Sequence, residues 1–261
     1  MQFRCTKLEF SGVLLLRVTR EIAATEAPEL VQYLHERSIG KTTMQMLYGA
    51  THYTVREKVI KIFEKDLKLF PKTVDWKACD IIATMVERAS RRVFPAAYKA
   101  LDWLGDLADK ASKAGPGHFE WTTPAGDTIR LKEHKAITLD IRTSHLGKIR
   151  IPVANTEERD YKSMSSALPP SFVHSFDAAL LKIAFDGWTQ PLCVIHDCFK
   201  ANPMDMDAAL ESIRKGFYSV CKGDALADLA DSLKVDNQQL QRLPQGNAEL
   251  AAVFDSTYLF N

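Results

Sequence analysis

The sequence predicts an α+β chain, with a mostly helical first part followed by small antiparallel sheets packed with helices. Three observations carry that prediction. Before Gly115 the apolar residues recur at helical spacing, as in Val59, Ile60, Ile62, Phe63, Leu67 and Leu69. From Phe119 to Val153 short runs are separated by turn residues such as Pro124-Ala125-Gly126-Asp127. Helical spacing then returns, interrupted by Leu192-Cys193-Val194-Ile195-His196-Asp197-Cys198-Phe199. That run reads as a β-hairpin with a buried strand and a carboxylate, Asp197, at its tip.

Each element has its own local reason. Residues 1–20 alternate loosely around Ser11-Gly12 and suggest a short hairpin. Pro28 suits the first turn of a helix to about Ser38. A short helix follows from Lys41 to Gly49, and Thr54 can cap the next. Asp75 can cap a long helix to about Arg92, and Pro95 can start another that ends near Gly115-Pro116-Gly117. Phe119–Thr123 and Thr128–Leu131 form one hairpin. Ala136–Thr143 and Lys148–Val153 form a second, turning at His145-Leu146-Gly147. Residues 154–168 are polar and read as a surface loop. A helix runs from Pro170 to Asp186. After the hairpin around Asp197, helices follow from Asp205 to Lys222 and from Asp224 to Lys234. A short helix after Asn247 and an apolar tail, Tyr258-Leu259-Phe260-Asn261, close the pattern.

The chain has 261 residues, 46% of them hydrophobic, enough for one large core or two smaller ones. A formal net charge of +1 does not by itself mark a nucleic-acid binder. Local charge is less even. Glu36–Lys72 is rich in Lys and Arg, and Pro203–Asn237 is rich in Asp. The basic stretch could follow a phosphate backbone or form a solvated helix face. Cysteines 5, 79, 193, 198 and 221 make no CxxC pair, so reduced thiols in a cytosolic setting are the simplest reading. No apolar run approaches the ~20 residues that cross a bilayer, so no membrane partner is expected. The first residues lack a signal-peptide pattern. There is no Gly-x-Ser-x-Gly elbow and no glycine-rich phosphate loop.

Three constellations could carry chemistry. Arg37 and Lys41 fall one turn apart on a helix and could hold a triphosphate, with Tyr48 stacking on a base or ribose. Gly49 would let the backbone approach a template strand. The alternative is an amphipathic helix with both cations in water. His174 and Asp177 are i,i+3 neighbours, so the carboxylate could orient the imidazole, or His174 could be a core histidine. Asp197 could bind Mg²⁺ or cap a turn. Cys193, His196 and Cys198 could form part of a zinc site, although no fourth ligand is evident.

The order of these motifs is more specific than any one of them. Arg-x3-Lys-x6-Tyr-Gly is followed by Phe-Val-His-Ser-x-Asp, then Ile-His-Asp-x-Phe, then an aromatic tail. Tyr53-x2-Arg56, Trp121-x-Thr123-Pro124-x-Gly126 and Asp224-x-Leu226-Ala227-Asp228 fall between them. Together they resemble the C-terminal part of the single-subunit RNA polymerases of bacteriophages and mitochondria, over residues 36–261. The resemblance implies a right-hand fold with an N-terminal segment (1–35), a helical fingers part (36–117) and a palm part (118–261). It implies that Arg37 and Lys41 contact the incoming ribonucleoside triphosphate and that Tyr48 selects the ribose. His174 would lie near the sugar and base, His196 beside the RNA 3′ end, and Asp197 on the catalytic Mg²⁺ ions. Phe260 and Asn261 would fold back toward the active site. DNA template and RNA product are the implied partners, and a phage-infected bacterial cytoplasm, or less expectedly an organelle, the implied setting.

Three departures shape that expectation. Six residues separate Lys41 from Tyr48 where the family has seven, a slip of about 100° on a helix. Cys198 stands where the family has Ser. The family's other catalytic Asp has no counterpart, since residues 1–35 contain Glu9, Glu21, Glu26 and Glu29 but no Asp. Two-metal phosphoryl transfer needs carboxylates around ions ~3.5–4 Å apart. The expectation is therefore one chain of a split polymerase, or the tail of a larger product, with the first Asp on a second subunit. A non-catalytic remnant that binds nucleic acid or a partner, and a family A DNA polymerase-like fragment, are the alternatives.

Overall fold

A computed structural model describes residues 6–35, 46, 50–65, 76–114, 117–144, 147–195, 198–247 and 249–256. The α+β prediction holds: long helices are joined by three separate two-stranded antiparallel sheets. The chain divides into two compact units, residues 1–102, 184–218 and 248–261, and residues 103–183 and 219–247.

In the first unit, helix α1 (Thr6–Glu26) replaces the hairpin expected around Ser11-Gly12. Buried Leu15, Thr19, Ile22 and Ala23 follow an i, i+4, i+7, i+8 stripe. The Thr19 hydroxyl donates to the Leu15 carbonyl at 2.7 Å, which satisfies the one polar group on that stripe. The run Val13–Val18 is apolar except for Arg17, so a short window fits either periodicity. The helix expected from Pro28 to Ser38 is instead a 3₁₀ turn, Pro28–Tyr33, followed by extended Leu34. Arg20 Nη2 donates to the Leu34 carbonyl at 2.7 Å. That holds the segment extended against α1.

Helix α2 (His52–Lys65) starts before Thr54, because Thr51 takes the cap. The Thr51 hydroxyl accepts from Thr54 N at 3.4 Å, and its carbonyl accepts from Val55 N at 3.1 Å. Helix α3 (Trp76–Val93) ends within a residue of expectation. It packs against both α1 and α2. Cys79, Ile82, Ala83, Val86 and Ala89 form its inner stripe, against Val55, Val59 and Phe63. Burying a side chain such as Phe63 contributes roughly 1.5–3 kcal/mol. Arg91 and Arg92 in the last turn complement the helix dipole. Helix α4 (Pro95–Ala114) follows its proline as predicted.

The second unit begins within α4. Trp103, Leu104, Leu107, Ala108 and Ala111 line one side of its core. Strands β1 (Phe119–Thr122) and β2 (Thr128–Leu131) pair as the expected hairpin, with Trp121 opposite Ile129. Gly126 takes φ +81 in their turn, a conformation that suits glycine. Phe119 and Trp121 point into the core while Thr122 is exposed.

Strands β3 (His134–Thr143) and β4 (Gly147–Arg159) form a long ribbon. It extends beyond the expected hairpin and absorbs part of the expected loop. His134 Nδ1 lies 2.9 Å from the Thr156 carbonyl, the Thr156 hydroxyl donates to the Lys135 carbonyl at 3.0 Å, and Lys135 pairs with Glu158. Backbone pairing and polar cross-strand contacts sustain this end, so it shows no apolar alternation.

Helix α5 (Tyr161–Ala184) begins nine residues before Pro170. Asp160 caps it, accepting from Ser163 N at 3.0 Å. Pro169 and Pro170 lie inside it, where a proline normally ends or kinks a helix. Met164, Leu168, Phe172, Ser175 and Ala179 are all buried on one stripe that spans the prolines, and this packing offsets the lost hydrogen bonds.

Back in the first unit, strands β5 (Leu192–Ile195) and β6 (Cys198–Ala201) make the hairpin read from sequence. The expected buried strand is not found: Val194 and Ile195 are exposed. Phe199 instead anchors the hairpin on Phe185, at 5.3 Å between ring centroids, and Phe185 meets Trp188 edge-on. Helices α6 (Met206–Cys221) and α7 (Ala225–Ser232) follow as predicted, the second capped by Asp224, which accepts from Ala227 N at 3.1 Å. The last expected helix is a 3₁₀ turn, Leu250–Val253.

Candidate functional site

Of the residues assigned chemistry from sequence, Arg37, Lys41, Tyr48, Gly49, His196 and Asp197 lie outside the described residues, as do Phe260 and Asn261. Their flanks are described. Tyr48 and Gly49 precede the Thr51 cap of α2 by a few residues. His196 and Asp197 are the two residues between Ile195 and Cys198, which pair directly as the last rung of β5 and β6. The rung closes a short ladder from Leu192–Ala201 to Ile195–Cys198, anchored through Phe199.

His174 belongs to the second unit. It sits mid-way along α5 with its side chain exposed, so it is not a core histidine. The motif around it divides by helical face. Phe172 and Ser175 are buried, whereas Val173 and Asp177 are half-buried. The Ser175 hydroxyl donates to the Phe172 carbonyl at 2.7 Å and accepts from Trp121 Nε1 at 3.0 Å. Phe172 meets Phe176 at a tilt, 4.6 Å between ring centroids, and Trp121 at 6.2 Å. Sequence reasoning found the Trp121 and Phe172-to-Ser175 motifs separately and missed that a hydrogen bond joins them. A buried indole N–H must find a partner, and a serine 54 residues away in sequence could not be chosen from pattern alone. The result is that α5 is held in rotation, with Ser175 turned inward and His174, about 100° round the helix, turned outward.

Beside this contact lies a cavity of about 280 Å³ lined by Trp121, Thr123, Phe172, Phe176, Lys222 and Asp228 among others. Its lining combines aromatic side chains with a lysine and an aspartate.

Charge is arranged differently on the β3–β4 ribbon. On one face Asp140 meets Arg150 Nε at 2.9 Å and Lys148 Nζ at 2.7 Å. Arg150 first, then Lys148, hold the Asp140 carboxyl below the usual carboxylate range. The other face presents Ile137, Leu139, Ile141 and Ile151 to solvent. Among the described residues no group of three or more His, Cys, Asp or Glu could hold a metal ion. No described helix is long and apolar enough to cross a membrane.

A family model described as DNA-dependent RNA polymerase matches residues 15–252. The mitochondrial DNA-directed RNA polymerase of Mus musculus is 25% identical over 262 residues, covering 90% of this chain and 22% of that protein. The mitochondrial DNA-directed RNA polymerase 1B of Nicotiana tabacum is 27% identical over 244 residues, covering 89% and 24%. The chloroplastic DNA-directed RNA polymerase 3 of Nicotiana sylvestris is 26% identical over 239 residues, with the same coverage. The chain thus spans 22–24% of the length of these relatives. It spans 73% of a shorter one, DNA-directed RNA polymerase 2A of Nicotiana tabacum, at 25% identity.

Proposed function

The chain belongs to the DNA-dependent RNA polymerase family, and from that premise we propose that it supplies the fingers and palm residues for adding ribonucleotides to an RNA 3′ end on a DNA template. The observation that carries this reading is the ordered series of motifs inside the matched region 15–252. Residues 36–117 act as the fingers part and 118–261 as the palm part, after an N-terminal segment 1–35. Arg37 and Lys41 take the triphosphate, since two cations one turn apart present donors from one side. Tyr48 selects the ribose and Gly49 admits the template. His174 faces the sugar and base, and His196 supports the RNA 3′ end.

Asp197 is the carboxylate this chain would offer to Mg²⁺. An ion there would neutralise charge on the phosphate oxygens. The paired rungs of β5 and β6 that flank Asp197 in the sequence give this stretch a defined backbone, which is what positioning of a reacting phosphate demands. One carboxylate fits only half of a two-ion site, and residues 1–35 hold no Asp. A second subunit, or a preceding part of a longer product, supplies the other. The setting is the cytoplasm of a phage-infected bacterium; an organelle is the second setting, favoured by relatives named mitochondrial or chloroplastic.

The test is to combine the chain with the polypeptide carrying the first Asp and measure primer extension, with and without Asp197→Ala. Extension that survives the substitution removes the role given to Asp197. The second functional reading is a non-catalytic remnant that binds nucleic acid or a partner, favoured by the absent first Asp and the shortened Lys41–Tyr48 spacing. Isolation of an active heteromer would exclude it. Comparing ribo- with deoxyribonucleotide incorporation separates the RNA polymerase from a DNA polymerase-like fragment.

A further inference from the structure

Within the first unit, side chains of α2, α3 and α4 form a line of alternating charge. Arg56 Nη1 is 3.6 Å from Asp80 Oδ1, and His52 Nε2 is 3.2 Å from the same oxygen. His52 Nδ1 is 3.4 Å from Glu87 Oε2, and Arg91 Nε is 3.6 Å from Glu87 Oε1. Arg91 continues to Asp102 at 3.4 Å and lies over the Tyr98 ring at 4.5 Å. His52 is the joint of this line. Each of its ring nitrogens faces a carboxylate of α3, and those carboxylates are two helical turns apart. A protonated ring, which donates from both nitrogens, cannot turn without losing a partner, so the contact then fixes direction as well as distance.

The location gives the joint a purpose. A helix N-terminus favours nearby negative charge, yet α2 has no acidic residue in its first turn. Asp80 and Glu87 supply that charge from the facing helix, through the first residue of α2. That residue follows Gly49 by only Ala50 and Thr51.

We propose that His52 is a positioning residue for nucleotide selection: by clasping Asp80 and Glu87 it fixes the first turn of α2, which begins three residues after the Tyr48-Gly49 motif in the sequence. What the clasp positions rests on the polymerase reading; what it holds does not.

Two measurements separate these parts. Hydrogen exchange on the chain alone reads the amides of residues 52–58 in wild type, His52→Phe, His52→Gln and His52→Arg. The Phe variant exchanges about threefold faster, the size expected for partly exposed ion pairs. The Arg variant, which again offers N–H donors to two carboxylates, matches wild type, and Gln falls between. The double variant Asp80→Asn, Glu87→Gln, which leaves His52 in place, reproduces the Phe result. Unchanged exchange in the Phe variant overturns the clasp. In the assembled polymerase, His52→Phe raises the ribonucleotide KM and weakens the preference over deoxyribonucleotides, each about threefold, with kcat unchanged and rescue by Arg. Faster exchange with unchanged KM and preference overturns the positioning role. A wild-type assembly that extends no primer removes the polymerase reading and the positioning role together, while exchange still decides the clasp.

Discussion

The β1–β2 and β3–β4 hairpins have similar apolar alternation and opposite fates. In the first, Phe119 is 0% and Trp121 2% exposed; in the second, Ile137 is 50% and Leu139 53% exposed. The difference is not in the strands. Strand β1 has α5 against it through Phe172 and Ser175, and α7 through the core around Leu229. The aliphatic face of β3–β4 has no such cover among the described residues. Alternation therefore announces that a strand has an apolar face and leaves open what covers it. The β5–β6 hairpin behaves like the ribbon, with Val194 and Ile195 exposed. The strand leading to the proposed metal-binding Asp197 is thus open to solvent, whereas the Trp121 and Phe172-to-Ser175 motifs lie in a closed core.

If that contrast is right, function and stability respond to different residues. Asp197→Ala brings primer extension by the assembled polymerase to background while the chain's urea midpoint stays within the ~0.5 kcal/mol typical of surface changes. A large loss of stability in that variant would break the contrast. Trp121→Ala does the reverse, costing about 3–5 kcal/mol in urea unfolding, chiefly through the lost ring, while the Ser175 hydroxyl keeps its bond to the Phe172 carbonyl. A cost below about 1 kcal/mol would show that β1 is not part of a packed core.

Smaller effects sharpen the ribbon side. The double change Leu139→Ser, Ile151→Ser leaves stability within about 0.5 kcal/mol and reduces binding of a hydrophobic dye and self-association by the isolated chain. Marked destabilisation would mean the aliphatic face is covered. The smallest effect concerns pH. The Asp140 carboxyl is held below its ordinary range by Arg150 and then Lys148. Its contribution is complete above the ordinary carboxylate range and is lost as pH falls through the depressed value. Amides of the β3–β4 ribbon should open faster in that acid window, and Asp140→Asn should flatten the dependence. An unchanged profile in the Asn variant would place the acid-sensitive contact elsewhere.

Much of the fold was legible because it is local. Pro95, Asp224 and the Pro124-Ala125-Gly126-Asp127 turn mark boundaries that depend on a few residues each. The failures have tertiary causes. Helix α1 is decided by a stripe that α3 covers, and the end of the Pro28 turn by the reach of Arg20. Helix α5 runs through Pro169 and Pro170 because its buried stripe continues on both sides. For the site, motif order identified the family, whereas the spacing around His174 left both a core and a functional histidine open, and only its exposed position excludes the core one. The link between Trp121 and Ser175 and the double contact of His52 needed the structure, because both join residues far apart in sequence.

The division of the second unit also bears on how the chain emerges during synthesis. Its core is completed by Leu229, Ala230 and Leu233, which close on a strand made roughly a hundred residues earlier, a non-local contact of the kind that slows folding. The hairpin bearing Asp197 lies between them in the chain. The ribosome therefore releases that hairpin before the Trp121 core can close. Nascent chains ending near residue 205 should hold the apolar faces of β1 and α5 exposed and depend on chaperones at that stage.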